Sequence, residues 1–187
     1  MKTIFFITSN KGKILEAKTK FSDIDVKIIQ KDLGYPEIQA DSLEEVALFG
    51  AKHVQKHFDK PFILEDAGLF IDALNGFPGV YSAYVYHTIG CKGILKLMEK
   101  FKGDMRKAVF RSVFSFGASN EKPLLFVGEC NGSISIEEHG EHGFGYDPIF
   151  IPQGETRTFA QMETEEKNRY SHRSRALDKL IDFFKNL

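Results

Sequence analysis

The chain has 187 residues, of which 42% are hydrophobic and 27% are charged, and its formal net charge is −1. This composition argues against a disordered chain, and the near-neutral charge argues against a broad surface for nucleic acid or a membrane but leaves room for a small basic patch. The length predicts a single domain over residues 1–187, and no stretch approaches the roughly 18 apolar residues of a membrane span. Cys91 and Cys130 form no Cys-x-x-Cys pair, which argues against zinc and disulfides and favours the reducing cytoplasm.

Strands and helices alternate in the first part of the chain. Apolar periodicity predicts, in order, a strand at 4–7, a helix after the polar turn at 8–12, a strand at 26–29, a helix capped by Ser42 and a strand at 62–64. The first helix places Leu15 on its apolar side. The strand at 62–64 is expected to end at two carboxylates, Glu65 and Asp66, and to continue after Gly68.

Strands cluster in the later part of the chain. The pattern predicts, in order, a helix at 92–101, a strand at 108–116, further strands at 124–127 and 133–136, and a last helix that opens at Ser171. Phe110, Phe114 and Phe116 alternate onto one face of their strand, as in a half-covered strand. This order of elements predicts an α/β fold with a mixed central sheet flanked by helices.

The turn between the first strand and the first helix is a candidate anion site. Free backbone N–H groups and the positive end of the helix dipole favour anions at a helix start. Gly-x-x-x-x-Gly-Lys is absent, so the turn is not a Walker A loop. The alternative is an ordinary capped helix with solvated lysines. The residues that would hold a phosphate are Thr8, Ser9, Asn10, Lys11, Gly12 and Lys13.

Carboxylates form a second candidate group, which comprises those at residues 37–45 together with Glu65 and Asp66. Mg²⁺ is usually held by one or two carboxylates together with water and substrate phosphate. Asp66 follows a predicted buried strand, where it would both bind such a metal and take a proton from attacking water. The alternative is that Glu44 and Glu45 lie on the solvated side of their helix and that Asp66 has no function.

A glycine-rich turn carries Phe144, Gly145, Tyr146 and Asp147. Exposed aromatic faces stack on bases, and a carboxylate such as Asp147 accepts hydrogen bonds from a base N–H. The residue types therefore fit a nucleotide base. The alternative is a corner in which both rings pack into the core.

Donor side chains gather at the start of the last helix, where Lys167 is followed by His172 and Arg173. Cations in a first helical turn oppose the helix dipole, which indicates a further purpose. Such donors fit the carbonyl at position 6 of an oxo-purine and reject the amino group of adenine. The alternative is an ordinary basic surface. His53 and His57 lack the Glu of His-Glu-x-x-His, so zinc is not predicted.

Several motifs follow one another along nearly the whole chain. They are Thr8-x-Asn10-x-x-Lys13, Glu65-Asp66-x-Gly68-Leu69, Gly76-x-Pro78-Gly79-x-Tyr81-Ser82, Gly143-Phe144-Gly145-Tyr146-Asp147-Pro148, Thr158-Phe159-Ala160, and Glu166-Lys167-Asn168 to Ser171-His172-Arg173. In this combination the chain closely resembles the inosine/xanthosine triphosphate pyrophosphatase family. The segment Tyr35-Pro36-Glu37-Ile38-Gln39 resembles the form found in archaeal members.

The resemblance implies an elongated, two-lobed α/β domain with the active site in the cleft between the lobes, assembled as a homodimer. It also implies Mg²⁺-dependent cleavage of ITP, dITP and XTP between the α and β phosphates. The products would be the monophosphate and pyrophosphate, and the reaction would keep deaminated purines out of DNA and RNA. The expected partner is thus a purine nucleoside triphosphate, with no nucleic acid and no membrane.

The motifs also imply roles for single residues. Asp66 would be the catalytic base and would bind the metal together with Glu37, while the turn at 8–13 would hold the triphosphate. Ala67 stands where many members have Ser, so only its backbone N–H is expected to reach phosphate. Gly50 stands where many bacterial members carry Lys, and that contact is not carried over. The nucleotide and base pocket would be formed by Phe144, Gly145, Tyr146, Asp147, Lys167, His172 and Arg173.

Two other functions compete with this one. A pyrophosphatase of related fold that acts on a modified pyrimidine nucleotide would use the same phosphate and metal groups. A nucleotide-binding sensor without catalysis belongs to a different class of protein. The paired acids Glu37 and Asp66 disfavour the sensor, because binding alone needs no base.

Overall fold

The computed structural model describes residues 2–22, 24–36, 38–119 and 121–186. Within them the strands are β1 (Lys2–Ile7), β2 (Val26–Lys31), β3 (Phe62–Ile71), β4 (Lys107–Gly117), β5 (Leu124–Ile134) and β6 (Phe150–Pro152). The α-helices of the same residues are α1 (Lys11–Lys20), α2 (Leu43–Gln55), α3 (Ser82–Thr88), α4 (Gly90–Leu97), α5 (Thr164–Lys167) and α6 (His172–Lys185). The strands hydrogen-bond in the order β2-β1-β3-β4-β5-β6.

The sheet contains both parallel and antiparallel pairs. β1 runs parallel to β2, with Ile4 opposite Ile28, and parallel to β3, with Phe5 opposite Phe62. β5 pairs antiparallel with β6. Parallel neighbours need a crossover connection, and α1 and α2 lie in the crossovers that link β1, β2 and β3 along the chain. The predicted α/β fold with a mixed sheet and flanking helices is therefore confirmed.

The chain divides into two compact units. The first unit comprises Met1–Asp66, Ser112–Gly128 and Arg173–Leu187, and the second comprises Ala67–Arg111 and Glu129–His172. The unit boundary falls between Asp66 and Ala67, and again between His172 and Arg173, so it cuts two of the predicted site motifs. That the two units form one domain over residues 1–187 stays a prediction.

The core of the first unit is built from β1, β2, β3, β4, α1 and α6. α6 buries Leu177, Leu180 and Phe184 at helical spacing, and none of the three is more than 6% exposed. In the same core the rings of Phe6 and Phe114 lie 5.5 Å apart between centroids. Full burial of one such side chain stabilises a fold by about 1.5–3 kcal/mol. The apolar spacing that predicts α6 therefore also identifies the face by which this helix packs on the core.

The core of the second unit centres on three phenylalanine rings. The Phe110 centroid lies 4.5 Å from that of Phe150 and 6.1 Å from that of Phe159. Leu69 of β3 and Ile94 of α4 are fully buried in the same core. Among the described residues, no helix combines the length and the apolar character needed to cross a membrane.

Two predicted strand breaks are wrong. β3 is one strand from Phe62 to Ile71, so Glu65 and Asp66 lie inside it and not at its end. β5 likewise runs without a break from Leu124 to Ile134 and contains Gly128. Charged residues and glycine are disfavoured in strands, which is why the sequence suggested interruptions at these places. Backbone pairing with the neighbouring strands outweighs that preference.

The predicted burial is wrong at α1 and incomplete at β4. Leu15 is 56% exposed, whereas the adjacent Glu16 is 4% exposed, so the buried face of α1 includes a carboxylate. Glu16 is buried because it accepts a hydrogen bond from the buried guanidinium of Arg173 on α6. In β4 the expected alternation holds up to Arg111, but from Ser112 to Gly117 every residue is buried.

The helices around residue 90 also differ from the prediction. α3 was not expected, and α4 begins at Gly90 and ends at Leu97, not at 92 and 101. Glycine is a poor helix former, so Gly90 and Gly93 obscured the start of the helix. A Cβ atom at Gly93 would lie 2.4 Å from the Cβ atom of Ile89, so close packing requires glycine there.

Candidate active site

Asn10 caps α1 and fixes the turn that follows β1. Its Oδ1 atom accepts hydrogen bonds from the N–H groups of Gly12, at 2.9 Å, and Lys13, at 3.1 Å. The N–H groups of Ser9 and Lys11 bond to no other described residue. The helix start is thus capped, as the alternative expected, and it keeps two N–H donors for an anion.

Thr8 ties the same turn to the sheet. Its Oγ1 atom accepts a hydrogen bond from the N–H of Asn10 at 3.1 Å. Its own N–H donates to the carbonyl of Lys31 on β2 at 3.1 Å, and its carbonyl accepts from Nε2 of Gln30 at 3.0 Å. These bonds hold the turn in one conformation, which is a requirement for orienting a bound group.

Five side chains, all buried except the partly buried Lys13, form a buried charge cluster in the first unit: Glu65, Arg173, Glu16, Lys13 and Ser112. Arg173 donates through Nε to Glu65 at 3.0 Å and through Nη1 to Glu16 at 2.6 Å. The Lys13 ammonium lies 2.7 Å from the other Glu65 oxygen and donates to the Glu65 carbonyl at 2.8 Å. The Ser112 hydroxyl donates to Glu65 at 2.7 Å. Two carboxylates therefore balance two cations, as buried charges require.

The cluster sets the charge state of Glu65. Burial alone would raise the pKa of this carboxyl, but the charges of Arg173 and Lys13 outweigh that effect and hold the pKa well below its usual range. Burial would likewise lower the pKa of the Arg173 guanidinium, but Glu65 and Glu16 raise the pKa above its ordinary value. Glu65 and Arg173 thus form a permanent ion pair near neutral pH.

The cluster offers a second reason for the basic start of α6. Arg173 lies in the first turn of α6, where its charge opposes the helix dipole, and Glu65 and Glu16 offset that cost. The position of Arg173 in a first helical turn is therefore explained by these two carboxylates and does not by itself indicate a contact with a base. The contact of Arg173 with a base and the contact of Lys13 with phosphate stay predictions.

In the second unit, Asp147 and Lys167 clamp the glycine-rich turn. The Lys167 ammonium lies 2.7 Å from Oδ2 of Asp147, and both residues are 3% exposed. The same oxygen accepts a hydrogen bond from the N–H of Phe144 at 2.8 Å. Gly143 has a φ of 75°, and a Cβ atom there would lie 2.1 Å from that oxygen, so only glycine fits.

The rings of the turn have different surroundings. Tyr146 is 4% exposed, and its hydroxyl donates to the carbonyl of Ser82 at 3.0 Å, so the expectation of an exposed Tyr146 ring is wrong. Phe144 is only partly buried, and the Lys167 ammonium lies 5.0 Å from its ring centroid. Of the two aromatic rings, that of Phe144 is therefore the more exposed.

His172 is held in the aromatic core of the second unit. Its ring stacks on Phe110, with centroids 4.6 Å apart and an angle of 10° between the planes, and the residue is 3% exposed. Phe110 in turn packs on Phe159, which lies beneath the Lys167 ammonium at 5.4 Å. A series of contacts through the rings of Phe110 and Phe159 thus connects His172 to Lys167, which in turn pairs with Asp147.

The residues predicted to hold a metal are described only in part. Asp66 is a partly buried residue of β3, and Ala67 follows it in the same strand. Glu37 lies outside the described residues. No group of three or more His, Cys, Asp or Glu among the described residues could hold a metal ion. A single hard carboxylate is nevertheless the donor that Mg²⁺ uses in phosphate sites, so Asp66 fits this metal.

The predicted residues therefore fall into two groups. The first unit brings the turn at 8–13 together with Arg173 through Glu65, and the second brings Phe144 and Asp147 together with Lys167. The sequence prediction missed the linking role of Glu65, Glu16 and Ser112. The one indication of this role in the sequence was Glu16, which interrupts the apolar side of α1 three residues after Lys13.

The mixed sheet, the capped helix start and the balanced charges define an α/β protein with a candidate nucleotide site. The chain belongs to the Ham1 family, whose family model matches residues 4–183.

Two curated relatives and one solved structure extend this assignment. The dITP/XTP pyrophosphatase of Thermococcus kodakarensis is 53% identical over 180 residues, which cover 96% of each chain. The protein of the same name from Methanopyrus kandleri is 50% identical and is matched over 98% of this chain and 96% of its own. A HAM1 protein from Coxiella burnetii has the same fold, with a TM-score of 0.86, 30% identity and full coverage of both chains.

Proposed function

We propose that the protein hydrolyses deaminated purine nucleoside triphosphates (ITP, dITP and XTP) between the α and β phosphates. The observation that carries this proposal is the match, over nearly its whole length, to two relatives named for dITP and XTP. The near-neutral net charge of −1 supports a small-molecule substrate over a nucleic acid.

Asp66 is the proposed general base. Its neighbour Glu65 is fixed by Arg173 and Lys13, so the strand that carries Asp66 is tied to both α1 and α6. A carboxylate on a strand held in this way is suited to orient a water molecule and take its proton as the water attacks the α-phosphorus. The free N–H groups of Ser9 and Lys11 are suited to the phosphate oxygens. When bound at Asp66, Mg²⁺ supplies positive charge that offsets the charge on the departing pyrophosphate.

The second group of residues is proposed to hold the base. Phe144 offers a partly exposed ring for stacking, and Asp147 holds the Lys167 ammonium beside that ring. A donor such as Lys167 or His172 suits the 6-oxo group of hypoxanthine and xanthine. With ATP, the donor would face an amino group and lose its partner, which costs binding.

Turnover of five nucleotides tests the function. With Mg²⁺, pyrophosphate release from ITP and XTP is expected to exceed that from ATP by at least about a hundredfold in kcat/KM. GTP and dTTP complete the set, and chelation of the metal is expected to stop turnover. A preference for dTTP or another pyrimidine would favour the pyrimidine alternative. Tight binding of ITP without pyrophosphate release would favour the sensor.

A homodimer is the proposed assembly. The region around α3 exposes several large side chains: Tyr84 is 72% exposed, Tyr81 44%, Ile89 43% and Tyr86 38%. Exposed apolar patches of this kind are typical of protein interfaces. Sedimentation at micromolar concentrations is expected to give twice the mass of one chain. A single-chain mass at every concentration would contradict the proposal.

The proposed location is the cytoplasm. Cys91 and Cys130 are both buried and form no disulfide with each other. Burial, assisted by the charges of Glu138 and Asp147, raises the pKa of the Cys91 thiol to about 12. This thiol is therefore inert near neutral pH, which suits a protein that stays reduced.

A further inference from the structure

A cavity of about 760 Å³ lies in the second unit, apart from every predicted site residue. Its walls come from α4, the segment that connects α4 to β4, and the end of β5. Pockets of about 300–1,000 Å³ are the size that small organic ligands occupy.

Arg106 places a buried positive charge in the wall of this cavity. The residue is 9% exposed, and its guanidinium donates to the carbonyls of Ile134 at 2.7 Å and Met98 at 2.7 Å, and also to that of Ser135. No described carboxylate pairs with it, and burial lowers the pKa of the guanidinium. Carbonyl dipoles satisfy its hydrogen bonds but leave its charge without a counter-ion, which is costly in a buried position.

Three lysines add to the positive charge around the cavity. Lys96 pairs with Glu99 at 2.7 Å, and Glu99 is the one acidic residue of the lining. Lys92 and Lys102 make no ion pair with any described residue. The lining therefore carries four cations and one anion, an excess that attracts negatively charged molecules.

The rest of the lining is apolar. Leu95, Phe101 and Ile134 provide a hydrophobic floor, and Ile136 at the rim is 87% exposed. Exposure of this apolar side chain to water is unfavourable, and a bound apolar group that covered it would stabilise the complex. Positive groups around an apolar floor are complementary to a molecule with an anionic end and an apolar body.

We propose that this cavity binds a small organic anion whose apolar body lies against Phe101 and Ile136 and whose charged end lies near Lys92 and Lys102. Because the lining shares no residue with the proposed active site, this site is independent of the proposed hydrolysis. The class of ligand is an aromatic or aliphatic carboxylate, sulfonate or phosphate monoester. An inorganic anion lacks the apolar body and is expected to bind much more weakly.

Fluorescence titration with anilinonaphthalene sulfonate, an aromatic anion, tests the site on the intact protein. The wild type is expected to bind one equivalent saturably. Lys102→Glu is expected to weaken binding by about tenfold or more, because it turns an attractive charge at the cavity into a repulsive one. Lys100→Glu makes the same charge change two positions away, outside the lining, and is expected to change affinity less than about twofold. Equal effects of the two variants, or no saturable binding, would overturn the proposal.

A second variant and a competition series separate the two parts of the proposed ligand. Ile136→Ser keeps all the charges and is expected to weaken binding by about threefold or more, because it removes apolar contact. Phenyl phosphate and benzoate are expected to displace the probe, and the stronger competitor identifies a phosphate or a carboxylate ligand. Displacement by inorganic phosphate at the same concentration would show that no apolar body is recognised and would overturn the proposal. Circular dichroism of each variant checks that the fold is retained.

Discussion

Asp66→Asn is expected to lower kcat for ITP by about 10²–10⁴-fold without unfolding the protein. The amide has nearly the same shape as the carboxylate, but it neither accepts a proton from water nor carries the charge that a metal ion needs. Asp66 lies inside β3, where backbone pairing holds it whichever side chain is present. The substitution should therefore remove chemistry and leave structure, and steady-state kinetics with ITP measures the change.

Asp72→Asn is the matched control for this experiment. Asp72 is exposed and follows the end of β3, so the same chemical change occurs close by in the sequence but outside the predicted site. Its turnover is expected to match that of the wild type. Thermal unfolding of both variants reports on the fold. Near-normal turnover by Asp66→Asn would rule out Asp66 as the base.

Glu65→Gln is expected to destabilise the protein by about 3–5 kcal/mol, because the buried Arg173 and the partly buried Lys13 lose the negative charge that they share. Arg173 would keep only Glu16, and Lys13 would lose its ionic partner. Urea unfolding measures the difference. Asp178→Asn breaks an exposed ion pair with Lys20 in the same unit, and surface pairs of this kind are worth less than about 1 kcal/mol. Similar losses in the two variants would contradict the importance of the buried charge cluster.

The pH dependence of this difference follows from the lowered pKa of Glu65. The carboxyl has a pKa near 4.5 in the unfolded chain and a lower pKa in the folded protein. Its stabilising contribution is therefore complete above about pH 4.5 and is lost as the pH falls toward the folded value. The stability gap between wild type and Glu65→Gln should be constant from pH 6 to about 5 and narrow below about 4.5. A gap that widens in acid would contradict this assignment.

Much of the fold was predictable because its elements carry strong periodic patterns. α6 repeats its apolar residues at helical spacing, and Leu177, Leu180 and Phe184 are buried as that spacing requires. The break predicted at Glu65 failed for a different reason. Local preference disfavours a carboxylate inside a buried strand, and its partner Arg173 lies 108 positions away in the chain. No local pattern reports a contact over that distance.

The candidate site was predictable as a set of motifs, but its internal geometry was not. The residue types of the turn at 8–13 indicate anion binding, and Asn10 caps the helix as its position suggests. That Lys13 pairs with Glu65, and that Lys167 pairs with Asp147, depends on tertiary packing. The burial of Tyr146 also depends on tertiary packing. An aromatic residue in a glycine-rich turn is equally suited to a core or a surface, so the sequence alone did not place this ring in the core.

Hydrolysis of ITP in ¹⁸O-labelled water tests the central claim most directly. Attack on the α-phosphorus places one labelled oxygen in inosine monophosphate and none in pyrophosphate, and mass spectrometry separates the two products. The proposed reaction predicts label in the monophosphate alone, and only when Mg²⁺ is present. Label in pyrophosphate, or release of inosine diphosphate with labelled phosphate, would contradict it.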